Sequence, residues 1–254
     1  MAAGALFILV RIMFQIHPDV DTPPDDTVIW RYIDLEKLIA LLHSRSLYLC
    51  RLDHLRDPWE GRWPPAMAEV FTRGRSEGEL EKGKDFVEWL NEMRKLFYVS
   101  CWHENSDESA AFWDQYKRSR GVAIRSTVGR LKRSNSSEMP FFLGRVQYRH
   151  YGREEFPAGY ANALRPVFLK RRSFEHEREV RVLIWHAQTK SESDFKSIRE
   201  SYSIGVDLAV LIDSIYVAPE CPAWLVDPLR ELLRRFDLPD VPVRHSNLYD
   251  KNIS

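Results

Sequence analysis

Apolar residues along the chain gather first in a short β-branched and aromatic run and then recur every third or fourth position, and each change of pattern marks an element. Residues 28–33 (VIWRYI) are rich in β-branched and aromatic side chains and follow the turn cluster Pro23-Pro24-Asp25-Asp26, which predicts a strand. Asp34 is placed to cap a helix whose Leu35, Leu38, Ile39 and Leu42 share one stripe, and residues 46–50 (SLYLC) return as a strand. Residues 56–61 read as a polar turn, and residues 63–95 as helix interrupted around Gly74, Gly78 and Gly83. Residues 96–100 form a short strand. Asn105 and Glu108 have capping-box spacing for a helix that carries Phe112, Trp113 and Tyr116 on its apolar face and ends at Gly121. Residues 122–124, 141–151 and 180–185 read as strands, and 208–217 as further apolar, β-like sequence. A last helix is capped by Asp227, takes Pro228 at its first position, and buries Leu229, Leu232, Leu233 and Phe236. The sum is an α+β fold with a mixed or antiparallel sheet and peripheral helices. No repeat or linker divides it, so residues 28–254 are expected to form a single domain, with residues 1–27 as an N-terminal extension that need not be ordered throughout.

Composition narrows the setting. Of 254 residues, 44% are apolar and 12% aromatic, enough for a sizeable core. Lys plus Arg equals Asp plus Glu at 37 each, so no global field draws the chain to nucleic acid or to an anionic membrane, and any such partner must use a local patch. Cys50, Cys101 and Cys221 are odd in number, far apart and never in CxxC spacing, which argues for a reducing, cytoplasmic setting. The apolar opening, residues 1–14, holds Arg11 inside it and is too short for a span, so it reads as an upstream-start extension or an edge strand.

The chemistry concentrates in Glu175-His176-Glu177-Arg178-Glu179-Val180-Arg181. In a strand, Glu175, Glu177, Glu179 and Arg181 would share one face, where neighbouring carboxylates raise one another's pKa and nearby arginines keep at least one ionised. Such a cluster suits general-base work or stabilisation of a cationic transition state. The competing reading is a solvated, ion-paired face. Tyr98-Val99-Ser100-Cys101-Trp102-His103-Glu104 ends a strand in small and polar groups. Cys101 with His103 is conceivable as a nucleophile pair but has no third orienting group, and His103, Glu104 and His176 lack metal-ligand spacing. Arg31 stands mid-strand, where it requires an anion or a carboxylate, with Asp57 and Glu60 among the candidates. No glycine-rich phosphate cradle occurs.

The segments WRYID at 30–34, DPWE at 57–60, SCW at 100–102, FWDQY at 112–116 with GVAI at 121–124, and FEHEREVRVLI at 174–184 together resemble a bacterial and phage family whose domain is of unknown function. Arg56 stands where that family has asparagine. The order strand with Arg, strand ending in Ser, then Glu-x-Glu before an apolar strand more distantly resembles ADP-ribosyltransferases. That resemblance implies a split sheet and NAD as substrate, with no metal. It also implies that Arg31, with Tyr32 beside it, contacts the NAD phosphates or ribose. Ser100 would support the nicotinamide site, with Tyr98 and Trp102 as stacking surfaces. Glu179 would stabilise the cationic ribose, Glu177 would orient the acceptor, and Glu175 would be a solvated bystander. The acceptor stays open among protein, nucleic acid and water, in a phage-defence or toxin setting.

Two other readings stand beside this one. A non-catalytic nucleic-acid-binding or interaction module would use Lys117, Arg118, Arg120, Lys132, Arg133, Lys170, Arg171 and Arg172. A magnesium-dependent nuclease would use the carboxylates.

Overall fold

A computed structural model describes residues 13–65, 88–89, 91–115, 121–152, 163–186 and 198–250. Most of the interrupted helix expected over 63–95 lies outside these residues, as do Tyr116, Lys117, Arg118 and Arg120.

The first strand, β1 (Val28–Asp34), runs into α1 (Leu35–Ser44), where the Asp34 carboxylate accepts from the Lys37 backbone N–H as the sequence predicts. Arg45 ends α1 in the left-handed region at φ 46, and β2 (Ser46–Arg51) returns. β3 (Phe97–Glu104) is four residues longer at its end than the apolar run suggested, because His103 and Glu104 still pair with β1. The capping box does not form. Glu108 accepts from the Trp113 indole and the Asn105 amide turns to the Asp107 carbonyl, so α2 (Ala110–Gln115) starts later than expected. β4 (Gly121–Thr127) leads into α3 (Val128–Ser134), capped by Thr127.

The stretch 141–151 divides into β5 (Phe142–Arg145) and β6 (Gln147–Arg149), which belong to different sheets. β6 pairs in parallel with β7 (Leu169–Arg171). β8 (Glu179–Trp185) and β9 (Ser201–Gly205) follow. The apolar run 208–217 is only half strand. Asp207 accepts from the N–H groups of Ala209 and Val210 and nucleates α4 (Leu208–Leu211) before β10 (Ser214–Val217). The last helix, α5 (Val226–Arg235), begins two residues earlier than the Asp227 cap requires, because a 3-10 turn over Ala223–Leu225 feeds it. Leu229 and Leu233 are its buried stripe. β11 (Val243–His245) closes the order.

Among the described residues, nine strands form one mixed sheet, running β11-β10-β4-β1-β3 and then dividing. Along one edge β3 pairs with β8, from Phe97↔Trp185 to His103↔Glu179, and β5 lies beyond. Along its other edge β3 meets β1 only at Ile29↔Glu104 and Trp30↔His103, and β2 only at Cys50↔Val99 and Arg51↔Tyr98. β1 and β2 therefore splay apart opposite Ser100, Cys101 and Trp102. This is the expected split in an α+β fold. β10 and β11 are the parallel pair within the large sheet.

The larger core covers one face, with Ile29, Tyr98, Trp102, Val180, Val182, Ile184 and Leu208 buried together. On the opposite face Val99, Phe168 and Leu183 form one cluster, and Trp30, Tyr32 and Trp113 another. Residues 14–27 are tied to this frame: Phe14 bridges Phe141, and Val20 is buried. A Cβ on Gly144 would stand 2.3 Å from Val20 Cγ1, so only glycine lets this segment cross β5 so closely.

Candidate active site

Side chains alternate along a strand, and residues paired across an antiparallel ladder point to the same face. The register therefore assigns each candidate to a side of β3. Ser100 pairs with Val182 and Trp102 with Val180, on the face of the larger core, whereas Cys101 pairs with Arg181 and His103 with Glu179, on the other. Trp30 pairs with His103, so Tyr32 shares the Glu179 face and Arg31 the Ser100 face. Contacts agree: Arg31 Nη1 donates to Ser100 Oγ, Nη2 reaches the Tyr48 carbonyl at 3.4 Å, and the guanidinium lies 5.7 Å from the Trp102 ring. Arg31, Ser100, Trp102 and Tyr98 are thus on one side and Glu177, Glu179 and Tyr32 on the other. The expectation of a single constellation containing Arg31, Ser100 and Glu179 is corrected in this respect, because Arg31 and Glu179 occupy positions of opposite parity on the sheet.

The acidic run also folds differently from a continuous strand. Arg172–Glu177 is a 3-10 turn ended by Arg178 in the left-handed region at φ 40, and the strand begins only at Glu179. Glu175 lies in the exposed turn and pairs with Arg172, as a solvated residue would. Glu177 and Glu179 are brought together by the turn, not by strand periodicity.

Their partners are buried cations. Lys170 Nζ on β7 lies 2.5 Å from Glu177 Oε2, 3.0 Å from Glu179 Oε1 and 3.0 Å from Glu60 Oε1. Arg181, fully buried, reaches Glu179 Oε2 at 2.5 Å, Glu60 Oε2 at 2.8 Å and the Val167 carbonyl at 2.6 Å. Glu60 arrives through the turn Asp57-Pro58-Trp59-Glu60-Gly61. Gly61 takes φ 69, and a Cβ there would lie 2.3 Å from Leu52 Cδ2, so the turn requires glycine. Asp57 closes the network by accepting from Arg171 Nη2 at 2.7 Å.

This network separates the two carboxyls. Burial raises the pKa of Glu177, and its hydrogen bond with Glu179 raises it further against the pull of Lys170, bringing it to about 7. Burial would raise Glu179 as well, but Arg181 and Lys170 overcome it and hold that group at about 2. Near neutral pH one member is a permanent anion and the other exchanges a proton, a division typical of acid–base sites. His103 supports the turn: its Nδ1–H donates to the Glu177 carbonyl at 2.7 Å, and its buried Nε2 has no hydrogen-bond partner among the described residues. Burial lowers the His103 pKa, more than the carbonyl contact restores, so the ring is held toward its neutral form. Phe112 lies 4.4 Å from the His103 ring and 5.0 Å from Tyr32, an aromatic wall on the carboxyl face.

Two stability terms follow with opposite signs. Glu177 has a folded pKa above its unfolded one, so its contribution is full below about 4.5 and is lost as pH rises through about 7. Glu179 has a depressed folded pKa, so its contribution is present above about 4.5 and is lost as pH falls through about 2. Replacing Glu177 by Gln is expected to stabilise the protein at pH 8 by about 1–2 kcal/mol, after discounting for partial solvent exposure, and by nearly nothing at pH 4.5. Urea unfolding of both proteins at the two pH values measures the difference.

Other assignments are narrowed by the same geometry. Burial, then the field of Glu179, push the Cys101 thiol up to about 12, a poor setting for a thiolate nucleophile. Cys101→Ala should keep whatever activity the wild type has within a few-fold, and native Cys101 should resist iodoacetamide at pH 8. Of the proposed basic patch, Lys170 is consumed by three carboxylates, Arg171 by Asp57, Arg172 by Glu175 and Lys132 by Asp25. No group of three or more His, Cys, Asp and Glu that could hold a metal occurs among the described residues. Sequence reasoning named Lys170 only as basic and Glu60 only as a pairing candidate for Arg31. Their meeting across the sheet depends on the parallel β6–β7 pair, which no local pattern announces.

No known family profile and no curated protein matches the chain, so the resemblance to the domain-of-unknown-function family gains no support from that side. Among solved structures, DarT from Thermus sp. 2.9, determined in complex with ADP-ribosylated ssDNA, is similar over 89% of this chain and 96% of its own, at 10% identity and a TM-score of 0.38. No helix among the described residues is long and apolar enough to cross a membrane.

Proposed function

We propose that this chain is an NAD-consuming, ADP-ribosyltransferase-like enzyme whose reaction centre is the Glu177–Glu179 pair. The observation that carries the reading is the placement of that pair at the mouth of β8 against two buried cations, Lys170 bridging Glu177 and Glu179 and Arg181 holding Glu179, within a Glu-x-Glu sequence that resembles the motif of those enzymes. Breaking the bond between the ribose anomeric carbon and nicotinamide sends the electron pair out with nicotinamide and leaves positive charge on the ribose. Glu179, kept ionised by Arg181 and Lys170, is the fixed anion that this charge calls for. Glu177, with a pKa of about 7, takes the proton of the attacking acceptor hydroxyl or water as the new bond forms. Tyr32 and Phe112 offer aromatic surface on the same face, and His103 holds the Glu177 turn. Arg31, Ser100, Tyr98 and Trp102 lie on the other face of the sheet.

The test is release of nicotinamide from NAD, assayed with water alone and with protein or single-stranded nucleic acid supplied as acceptor. Enzyme-dependent release whose rate rises with pH through about 7 is expected, since Glu177 must be deprotonated to act as base. Absence of release under every acceptor condition would contradict the proposal.

A further inference from the structure

The main chain at Glu179 sits where one strand changes sheets. β5 ends its ladder with β8 at Arg145↔Val180, and the residues that follow leave the large sheet to form β6 against β7. Val146 still reaches back, its N–H donating to the Glu179 carbonyl at 2.9 Å. The Glu179 N–H is taken by a side chain from the same segment: Tyr148 Oη accepts it at 2.8 Å. Tyr148 is in turn the register partner of Lys170 in the β6–β7 ladder, and Lys170 Nζ is the cation 3.0 Å from Glu179 Oε1. One phenol therefore ties the backbone of the anion, in the large sheet, to the pair of strands that carries its lysine, in the small one.

The tie falls where the chain holds itself least well. Arg178, just before Glu179, is a non-glycine residue in the left-handed region at φ 40, a conformation that persists only where its surroundings over-determine it. The Glu104 N–H holds the Arg178 carbonyl at 2.9 Å on the β3 side, and Tyr148 holds Glu179 on the other. The phenol is half-buried, and burial with the field of Glu179 raises its pKa, so it stays a neutral hydroxyl.

We infer that Tyr148 is a positioning residue of the carboxyl pair: by accepting the Glu179 N–H it sets the reach of the Glu179 carboxylate to Lys170 and fixes the anion for the reaction. Its catalytic consequence rests on the reading of the pair as an ADP-ribosyl-transfer centre, whereas its hold on Glu179 does not.

Tyr148→Phe keeps the ring and removes only the hydroxyl. In steady-state assays of nicotinamide release, kcat should fall by about tenfold or more while KM for NAD stays within about threefold, since a small displacement of a reacting group is felt mainly in the transition state. A second readout needs no substrate. Around the pair stand Lys170 from β7, Arg181 from β8, Glu60 from the turn at 57–61, and Cys101 and His103 from β3. Glu179 that drifts from its place loses part of its hydrogen bond with Glu177, which raises the Glu177 pKa, so the Glu177 titration in carboxyl NMR should move to lower pH by about 0.5 or more. Thr22→Val removes a side-chain bond of the same 2.8 Å length, to the Leu143 carbonyl on β5, and should change neither readout. Hydrogen exchange in the wild type decides the geometry alone, should the phenylalanine variant not fold: the Glu179 amide should be protected with those of β8. Wild-type kcat in Tyr148→Phe, an unmoved Glu177 titration, equal effects in Thr22→Val, or an unprotected Glu179 amide would each overturn the inference. Silence of wild type and variant alike toward NAD would count against the transfer reaction, and titration and exchange would then decide the role of Tyr148.

Discussion

Glu177→Gln is expected to lower the rate of nicotinamide release by about 10²–10⁴-fold, the usual contribution of a positioned general base. Glutamine keeps the shape and can still meet Lys170 and Glu179 through its amide, so the fold should persist and the stability gain at pH 8 described above should appear in the same protein. That combination separates a chemical role from a structural one. A purely structural Glu177 would lose stability together with activity, whereas here activity falls while stability rises, as happens where a site holds a strained charge for function. The rise of rate with pH through about 7 should also vanish in the variant. Equal rates in the two proteins would remove Glu177 from the mechanism.

Arg181→Met should cost about 3–5 kcal/mol of stability, the range seen when one partner of a buried ion pair is removed. Arg181 is fully buried and neutralises both Glu60 and Glu179, so methionine fills much of the space and leaves two buried carboxylates to share Lys170. For a chain of this length, thermal midpoints should fall by roughly 10 °C. Glu60→Gln combined with Arg181→Met should recover part of the loss, since the double variant removes one stranded charge. A loss under about 1 kcal/mol would mean that solvent reaches the network and that Glu179 is not held as a dry anion.

Much of this was legible in the chain because it is local. The Asp34 cap, the β-branched and apolar runs of β1 and β8 and the stripe of α5 are short-range patterns, and they appear where the residues predict them, with α5 shifted by two. Two readings failed for the opposite reason. The run 208–217 has the apolar content of a strand, but the Asp207 side chain satisfies two backbone N–H groups and makes a helical turn the better local solution. The motif order Arg31, Ser100, Glu179 is correct along the chain, yet parity decides the face: one residue of register separates Arg31 from Tyr32 and sends them to opposite sides of the sheet. The cations that divide the carboxyl pair come from β7 and β8, and Glu60 from a turn more than a hundred residues earlier, so the site's electrostatics could not be read from the acidic run alone.

The unequal protonation of Glu177 and Glu179 is the centre of the account, and carboxyl carbon NMR of protein labelled in its glutamates reads it without assuming any substrate. With Glu177→Gln and a mild Glu179→Gln variant for assignment, the Glu177 resonance should titrate near pH 7 and the Glu179 resonance should stay ionised down to about pH 2 or to acid unfolding. Both carboxyls titrating together near 4.5 would contradict it.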